Sequence, residues 1–255
     1  MFYETLSFQK EDHVMIINLL GRIKEQEKID RFFDEFSEVC TEISSDKDVL
    51  VVIINWDVKN SLPEANMDKD VIGYRGHGIE FASLSEIVSG IDHPVIAAIN
   101  GDAIGQALEL VLACDIRVAS EVSHFGLPYI IAGMIPWDGG TQRLPRLVGK
   151  GKAIEMILTG EIINAHEAHR IGLVNKIVPA KDLMTTVIDI AQEMASKGPI
   201  ALKHAKEAIL KGMDLTLEQG LRLEADLYFL LHTTSDRTEG IKAFQEKRHP
   251  QFKGR

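Results

Sequence analysis

Apolar and polar positions along the first half of the chain switch repeatedly between the patterns of strands and helices. Three apolar runs have strand length, at residues 14–20, 49–54 and 95–99. The middle run is apolar on both faces, which predicts a strand buried within a parallel sheet. Residues 29–43, between the first two runs, carry an apolar stripe at helical spacing. This alternation predicts the α/β fold class.

The neighbouring segments extend this pattern. Residues 2–8 alternate weakly and predict an edge strand, whereas residues 116–119 predict another internal strand. Residues 82–91 predict a helix, and a shorter helix is predicted to end at Leu112. Residues 55–78 are polar and contain proline and several glycines, which predicts a long loop. Long loops in compact domains often carry function.

The pattern becomes helical after Pro179. Helices are predicted at residues 182–196, 199–212 and 216–231. The third is too apolar for a free surface helix, because it carries Leu217, Leu221, Leu223, Leu227, Leu230 and Leu231. These leucines pack either on the chain's own core or against another subunit, and periodicity favours neither. We therefore divide the chain into a core, residues 1–196, and a helical region, residues 197–255.

Composition excludes several classes of partner. The chain has 255 residues and a formal net charge of −10, which argues against general nucleic-acid binding. Its apolar runs are shorter than the ~18 residues typical of a membrane span, so no membrane partner is predicted. It has two cysteines, far apart in sequence, and its start lacks the features of a signal peptide. A reducing cytoplasm is the expected location.

A candidate catalytic carboxylate follows the strand at residues 95–99. That strand ends in a glycine turn, and a helix is predicted to begin at Gly105-Gln106. The first N–H groups of a helix lack intrahelical partners and can bind an oxyanion. Glu109 lies one turn further among apolar residues, so we expect it to be partly buried and able to transfer a proton. The alternative is a glutamate at the helix edge that reaches solvent or pairs with an arginine.

Four ordered segments carry a family resemblance. They read HPVIAAINGDAIGQALELVLACDIRVAS, FGLPYIIAGMIPWDGGTQRLPRLVG, ILTGEIINAHEAHRIGLVNKIVP and EGIKAFQEKRHPQF. Together they resemble the crotonase (enoyl-CoA hydratase/isomerase) superfamily over most of residues 91–252. The resemblance implies a spiral of ββα units whose C-terminal helices form trimers, often paired into hexamers. It also implies a coenzyme A thioester as substrate, with no further cofactor and no metal.

The resemblance assigns roles to individual positions. The thioester carbonyl is expected between two backbone N–H groups, one of them at Gln106 beside Gly105. The other aligns with Leu62 or Pro63, in the loop after the strand that ends near Asn55. Glu109 corresponds to the first of two glutamates that hydratases use. Further pocket-lining positions are Trp137, Pro136 and Ala103.

This sequence departs from the family pattern at three of these positions. Tyr129 stands where hydratases have the second glutamate, and a phenol with a pKa near ~10 is a poor base at neutral pH. We therefore expect Tyr129 to act as a hydrogen-bonding partner. Pro63 has no N–H group, so its presence at the oxyanion position would remove half of that site. Gln106 replaces a usual glycine and adds a polar side chain.

Asp138 has two interpretations. It stands in the turn where some superfamily branches place a catalytic aspartate, one residue after the aligned position, so it is a candidate second carboxylate. It is equally a candidate cap for the helix that starts at Gly139-Gly140. His166 and His169 share a predicted helix, but without a third ligand at usable spacing we predict no metal site.

The overall sequence resembles enoyl-CoA hydratases most, which makes hydration of a 2-enoyl-CoA the leading function. The principal alternative is an enoyl- or dienoyl-CoA isomerase or another crotonase-type lyase or hydrolase, since one carboxylate can move a proton between carbons. A non-catalytic acyl-CoA-binding subunit is the alternative from another class. The expected partners are an acyl-CoA and further copies of the chain, as a homotrimer or a dimer of trimers.

Overall fold

The computed structural model describes residues 3–19, 26–57 and 83–255. Strands in these ranges are β1 (Leu6–Glu11), β2 (Val14–Leu19), β3 (Val51–Asp57), β4 (Val95–Asn100), β5 (Ala103–Ile104), β6 (Ile116–Ser120), β7 (His124–Gly126), β8 (Ile162–Asn164) and β9 (Lys176–Val178). Helices are α1 (Gln26–Ser45), α2 (Leu84–Ser89), α3 (Gln106–Ala113), α4 (Gly140–Val148), α5 (Lys150–Thr159), α6 (Ala165–Arg170), α7 (Leu183–Ala195), α8 (Pro199–Gly212), α9 (Leu217–Leu231) and α10 (Ser235–Glu246). Two 3₁₀ turns span Pro128–Ala132 and Ala180–Asp182.

Two sheets organise the chain. The larger has the order β1-β2-β3-β4-β6-β9, and the smaller has the order β5-β7-β8. In the larger sheet every neighbouring pair is parallel except β1 and β2. The edge strand was predicted at residues 2–8, but β1 begins at Leu6 because its pairing partner is Leu19, where β2 ends. A tight turn at Asp12, with a φ of 51°, fixes that register.

The central strand β3 separates two apolar layers. Its residues Val52, Ile54 and Trp56 face the larger core, which also receives side chains of α1, α2 and α3. Val51 and Ile53 face the opposite way, toward α7. All five side chains are almost fully buried. The prediction of a parallel strand buried on both faces is confirmed, and burial of each such side chain contributes about 1.5–3 kcal/mol.

The three predicted C-terminal helices are present as α7, α8 and α9, and α10 is an additional helix. Packing on the chain's own core is wrong for half of the six α9 leucines, which are exposed. Leu227 is buried, whereas Leu217 is 80% exposed and Leu221 is 55% exposed. The domain division after residue 196 stays a prediction. Among the described helices, none combines the length and apolar character needed to cross a membrane.

A partly buried cation attaches α8 to the sheet. The ammonium of Lys206 donates to the carbonyl oxygens of Ile91 and His93, at 2.8 Å each. It also lies 2.7 Å from a carboxylate oxygen of Asp115. Because these partners flank the start of β4 and the end of α3, the lysine joins the helical region to the elements that carry the candidate site.

Pairing in the small sheet positions that site. Strand β5 leads into Gly105, whose φ of 63° lies in the left-handed region that glycine adopts without a Cβ penalty. The Gly105 N–H donates to the carbonyl of Gly126 at 2.9 Å, which extends the pairing of β5 with β7. The segment after β7 therefore passes the start of α3 and brings Tyr129 beside Gly105.

Candidate active site

The first turn of α3 presents backbone N–H groups that have no partner within the helix, beside a buried carboxylate. The carbonyl of Gly105 accepts the N–H groups of Leu108 and Glu109, which are the first bonds of the helix. The N–H groups of Gln106 and Ala107 come before these bonds and lie at the positive end of the helix. Such groups can stabilise a developing oxyanion.

Glu109 is completely buried and its carboxylate accepts three hydrogen bonds. Oε2 accepts the hydroxyl of Tyr129 at 2.6 Å. Oε1 accepts the backbone N–H groups of Asp138, at 2.8 Å, and Gly140, at 2.9 Å. The expected burial is confirmed, and the alternative of a solvent-facing or arginine-paired glutamate is wrong. A carboxylate without solvent contact needs such donors to offset its desolvation.

Burial and hydrogen bonding act on the Glu109 pKa in opposite directions. Burial raises it above the ordinary value, and the negative charge of Asp138 adds to that rise. The hydrogen bonds from Tyr129, Gly140 and Asp138 lower it. The balance is a raised pKa, which moves a glutamate toward the range useful for proton transfer near neutral pH.

Tyr129 is held as a proton donor. Burial raises its pKa strongly, and the neighbouring Glu109 carboxylate raises it further. The phenol therefore stays protonated and donates to Oε2 of Glu109. Its hydroxyl also lies beside Gly105, at the start of α3. Tyr129 thus contacts Glu109 directly.

Gly140 fits this site because it has no side chain. A Cβ atom there would lie 2.8 Å from Cβ of Pro136, 2.9 Å from Cδ1 of Leu127 and 3.0 Å from Oε1 of Glu109. These distances are shorter than ordinary van der Waals contacts. The absence of a side chain allows the first N–H of α4 to approach the carboxylate.

Asp138 does not cap its own helix, so that interpretation is wrong. The residue before α4 is Gly139, and no side chain caps the helix start. The Asp138 carboxylate instead accepts the Ser83 hydroxyl and, at 3.3 Å, the N–H of Ser85, both at the start of α2. Burial raises the Asp138 pKa, and these donors, together with the nearby Gln106 amide, lower it. Nε2 of Gln106 has no partner in good hydrogen-bonding geometry among the described residues.

The remaining predicted positions are distributed around this centre. Ala103 and Pro136 are buried, and Trp137 is partly buried against the larger core. Leu62 and Pro63 lie outside the described residues. Sequence reasoning missed Gly140 and Ser83 as members of the site. Ser83 begins a Ser-Leu-Ser-Glu segment typical of a helix start, and its hydroxyl does accept the N–H of Glu86.

The site and fold agree with a known family. The family model described as Enoyl-CoA hydratase/isomerase matches residues 29–255. The chain belongs to this family. The predicted superfamily, the α/β crotonase fold and an enzyme of the enoyl-CoA hydratase/isomerase type are thereby confirmed.

Individual relatives extend the match to almost the whole chain. The crotonyl-CoA hydratase of Syntrophomonas wolfei is 35% identical over 258 residues, covering 99% of each chain. The protein YngF of Bacillus subtilis is 49% identical over 168 residues, which is 66% of this chain and 65% of that protein. Among solved structures, a crystal structure of an enoyl-CoA hydratase from Bacillus anthracis superposes with a TM-score of 0.88. Its sequence is 37% identical, and the match covers 99% of this chain and 100% of that one.

Proposed function

We propose that this protein hydrates a 2-enoyl-CoA thioester, with Glu109 as the single carboxylate that transfers protons. The carrying observation is the carboxylate at the first turn of α3, buried and held by three donors. Its Oε1 already accepts two N–H groups, whereas Oε2 accepts only the Tyr129 hydroxyl among the described residues. Oε2 is therefore the atom with a lone pair available for a proton.

In the proposed step, Oε2 takes a proton from a water molecule while the water oxygen bonds to C3 of the enoyl group. The C2–C3 π electrons move toward the thioester carbonyl and form an enolate. The N–H of Gln106, at the positive end of α3, binds the enolate oxygen. Glu109 then returns its proton to C2, so one water is added and the carboxylate is regenerated.

Tyr129 supports this single-carboxylate scheme as a donor. Its raised pKa keeps the phenol protonated, so it does not replace the second glutamate as a base. Its hydrogen bond holds Oε2 and limits the proton affinity that burial gives the carboxylate. Isomerisation is the second candidate, because one carboxylate can also carry a proton between two carbons without adding water.

The experiment is a panel of enoyl-, dienoyl- and oxoacyl-CoA thioesters analysed by mass spectrometry. A hydration product is heavier than its substrate by the mass of one water, and in ¹⁸O-labelled water its C3 hydroxyl carries the label. Isomerisation leaves the mass unchanged. Binding of a thioester without any product across the panel would instead support an acyl-CoA-binding subunit.

The matched variants are Glu109→Gln and Glu193→Gln, the latter on the exposed side of α7. Glu109→Gln keeps the size of the side chain but cannot accept a proton, so we expect turnover to fall roughly 10²- to 10⁴-fold. Binding of the thioester and turnover by Glu193→Gln are expected to stay at the wild-type level. Full activity of Glu109→Gln would contradict the assignment.

We also propose that the chain assembles through its C-terminal helices, as a trimer or a pair of trimers. Helices α8 to α10 and the connection between α8 and α9 expose a set of large apolar side chains, more than isolated surface residues explain: Ile209, Leu210, Met213, Leu215, Leu217, Leu221, Tyr228, Phe229, Leu230, Ile241 and Phe244. Light scattering is expected to give three or six times the chain mass. Leu221→Glu together with Phe229→Glu should lower that mass, and a wild-type monomer would refute the proposal.

The two cysteines support a cytoplasmic location. Cys40 and Cys114 are both free and buried, and burial raises the pKa of each thiol to about 12. They therefore remain protonated thiols within the core, which fits a reducing compartment. Fractionation of cells that produce the protein tests this location.

A further inference from the structure

Helix α2 is attached at its start to the turn that precedes α4 and at its end to α4 itself. At its start, the Asp138 carboxylate accepts the Ser83 hydroxyl and the Ser85 N–H. At its end, Nη2 of Arg143 donates to Oγ of Ser89 at 2.9 Å. The other guanidinium nitrogen, Nη1, donates to the carbonyl of Asp138 at 3.2 Å. A carboxylate at the N-terminus and a guanidinium at the C-terminus both complement the helix dipole.

The same turn holds the candidate catalytic carboxylate. The backbone N–H of Asp138 donates to Oε1 of Glu109 at 2.8 Å. The N–H of Gly140, two residues later, donates to the same oxygen. Asp138 therefore makes two kinds of contact. Its side chain binds α2, and its main chain binds Glu109.

We propose that Asp138 is a positioning residue that connects α2 to Glu109. Its carboxylate fixes the turn against α2, so that its N–H and that of Gly140 point at Oε1, and its negative charge increases the proton affinity of Glu109. This inference rests on the proposed function, in which Glu109 transfers the protons. It assigns Asp138 a role through Glu109, without contact with the reacting atoms.

In this proposal, the contacts of Asp138 keep it from serving as the second catalytic carboxylate. Only 3% of the residue is exposed. One oxygen accepts from Ser83 and the other from Ser85, so both are directed at α2. Releasing them to meet a substrate would leave the Ser85 N–H buried without its acceptor, which costs about 1–3 kcal/mol. The serine contacts thus hold the carboxylate away from proton transfer.

Three variants separate the attachment from the charge. Asp138→Asn removes the charge and keeps both contacts, because the amide oxygen can accept the Ser85 N–H while the amide nitrogen donates to the Ser83 hydroxyl oxygen. Asp138→Ala removes both the charge and the attachment. Ser83→Ala weakens the attachment and keeps the charge. The control is Asp189→Asn, an exposed aspartate on α7.

The pH profile of kcat/KM distinguishes the proposed role from a merely structural one. If Asp138 only stabilised the fold, its replacement would leave the acidic limb of this profile unchanged. Among the described residues, the ionisable groups facing Glu109 are Tyr129 and Asp138, and Arg143 faces Asp138. Asp138 raises the pKa of Glu109, so its neutralisation shifts the acidic limb to lower pH in both Asp138 variants. Ser83→Ala should leave that limb in place while lowering kcat.

The loss of kcat in the two Asp138 variants separates the effect of the attachment to α2 from the effect of the negative charge. Misplacement of a catalytic group by about 1 Å can cost roughly 10²-fold in rate. We expect a loss of that order in Asp138→Ala and a loss of less than about tenfold in Asp138→Asn, which keeps the attachment. An unshifted acidic limb in both variants, or equal activity of Asp138→Ala and wild type, would overturn the proposal.

Hydrogen exchange tests the attachment independently of turnover. Asp138→Ala and Ser83→Ala should accelerate amide exchange in peptides that cover α2 and residues 138–140, and Asp189→Asn should not. If wild type converts no thioester, the proposed function fails and the exchange experiment still decides the attachment. Unchanged exchange in both variants would sink the positioning role even in an active enzyme.

Discussion

Replacing Gly140 by alanine tests how closely the start of α4 approaches Glu109. The added Cβ would lie 2.8–3.0 Å from atoms of Pro136, Leu127 and Glu109. Two of these neighbours have little freedom, because Pro136 is cyclic and Leu127 is completely buried. Overpacking of this kind typically costs 1–3 kcal/mol. Alanine loses less backbone entropy on folding than glycine does, which offsets up to about 0.5–1 kcal/mol of this cost. We therefore expect a net loss of stability of roughly 1–2 kcal/mol.

The assay combines unfolding in urea with turnover of the thioester substrate. In thermal unfolding, each kcal/mol of lost stability corresponds to a fall of about 2–4 °C in Tm for a chain of this size. The new methyl group also contacts Oε1 of Glu109, so the carboxylate has to move and kcat should fall more than stability explains. Thioester binding should change less than kcat, because the perturbation acts at the reacting group.

Gly151→Ala is the matched control. Gly151 lies in α5, and nothing lies within 4 Å of the position its Cβ would take. Alanine there is expected to stabilise the protein by about 0.5–1 kcal/mol and to leave turnover unchanged. If Gly140→Ala matched wild type in both stability and kcat, the packing described around Glu109 would be refuted.

Three further predictions concern neighbouring groups. Tyr129→Phe removes a donor that lowers the Glu109 pKa, so the acidic limb of kcat/KM should move to higher pH. Burial lowers the His93 pKa from 6.5 to about 4. Stability should therefore fall as pH drops through this window, and His93→Leu should flatten that dependence in urea unfolding. Lys206→Met removes the ammonium bound to Asp115 and should cost roughly 2 kcal/mol in the same assay.

Much of the fold was accessible from local patterns. The apolar run around β3 indicated a strand buried on both faces, because every residue had to avoid water. The glycine before α3 and the position of Glu109 are separated by a single helical turn, so their proximity follows from helix geometry alone. That Tyr129 stands at the position of a second glutamate stays a prediction from the resemblance.

Local sequence patterns did not show which surface a helix face packs against, or which residues distant in sequence are in contact. The leucines of α9 indicated a helix with an apolar stripe, but half of the six are exposed and not packed on the chain's own core. Helical periodicity places side chains on one face and does not specify what covers that face. The interpretation of Asp138 as a cap of α4 failed for a related reason. A carboxylate can bind the start of any helix within reach, and Asp138 binds the start of α2.

By itself the sequence determined the family, the α/β class and the helix start with its carboxylate, because these depend on neighbouring residues and on ordered motifs. Tertiary structure alone decided how that carboxylate is held. The pairing of β5 with β7 brings the Tyr129 hydroxyl to Glu109, across 20 residues of sequence. Packing of α2 on the turn before α4 brings Asp138 to Ser83, across 55 residues. Hydrogen bonds require distances near 3 Å, and over such separations only the packing of whole elements can set them.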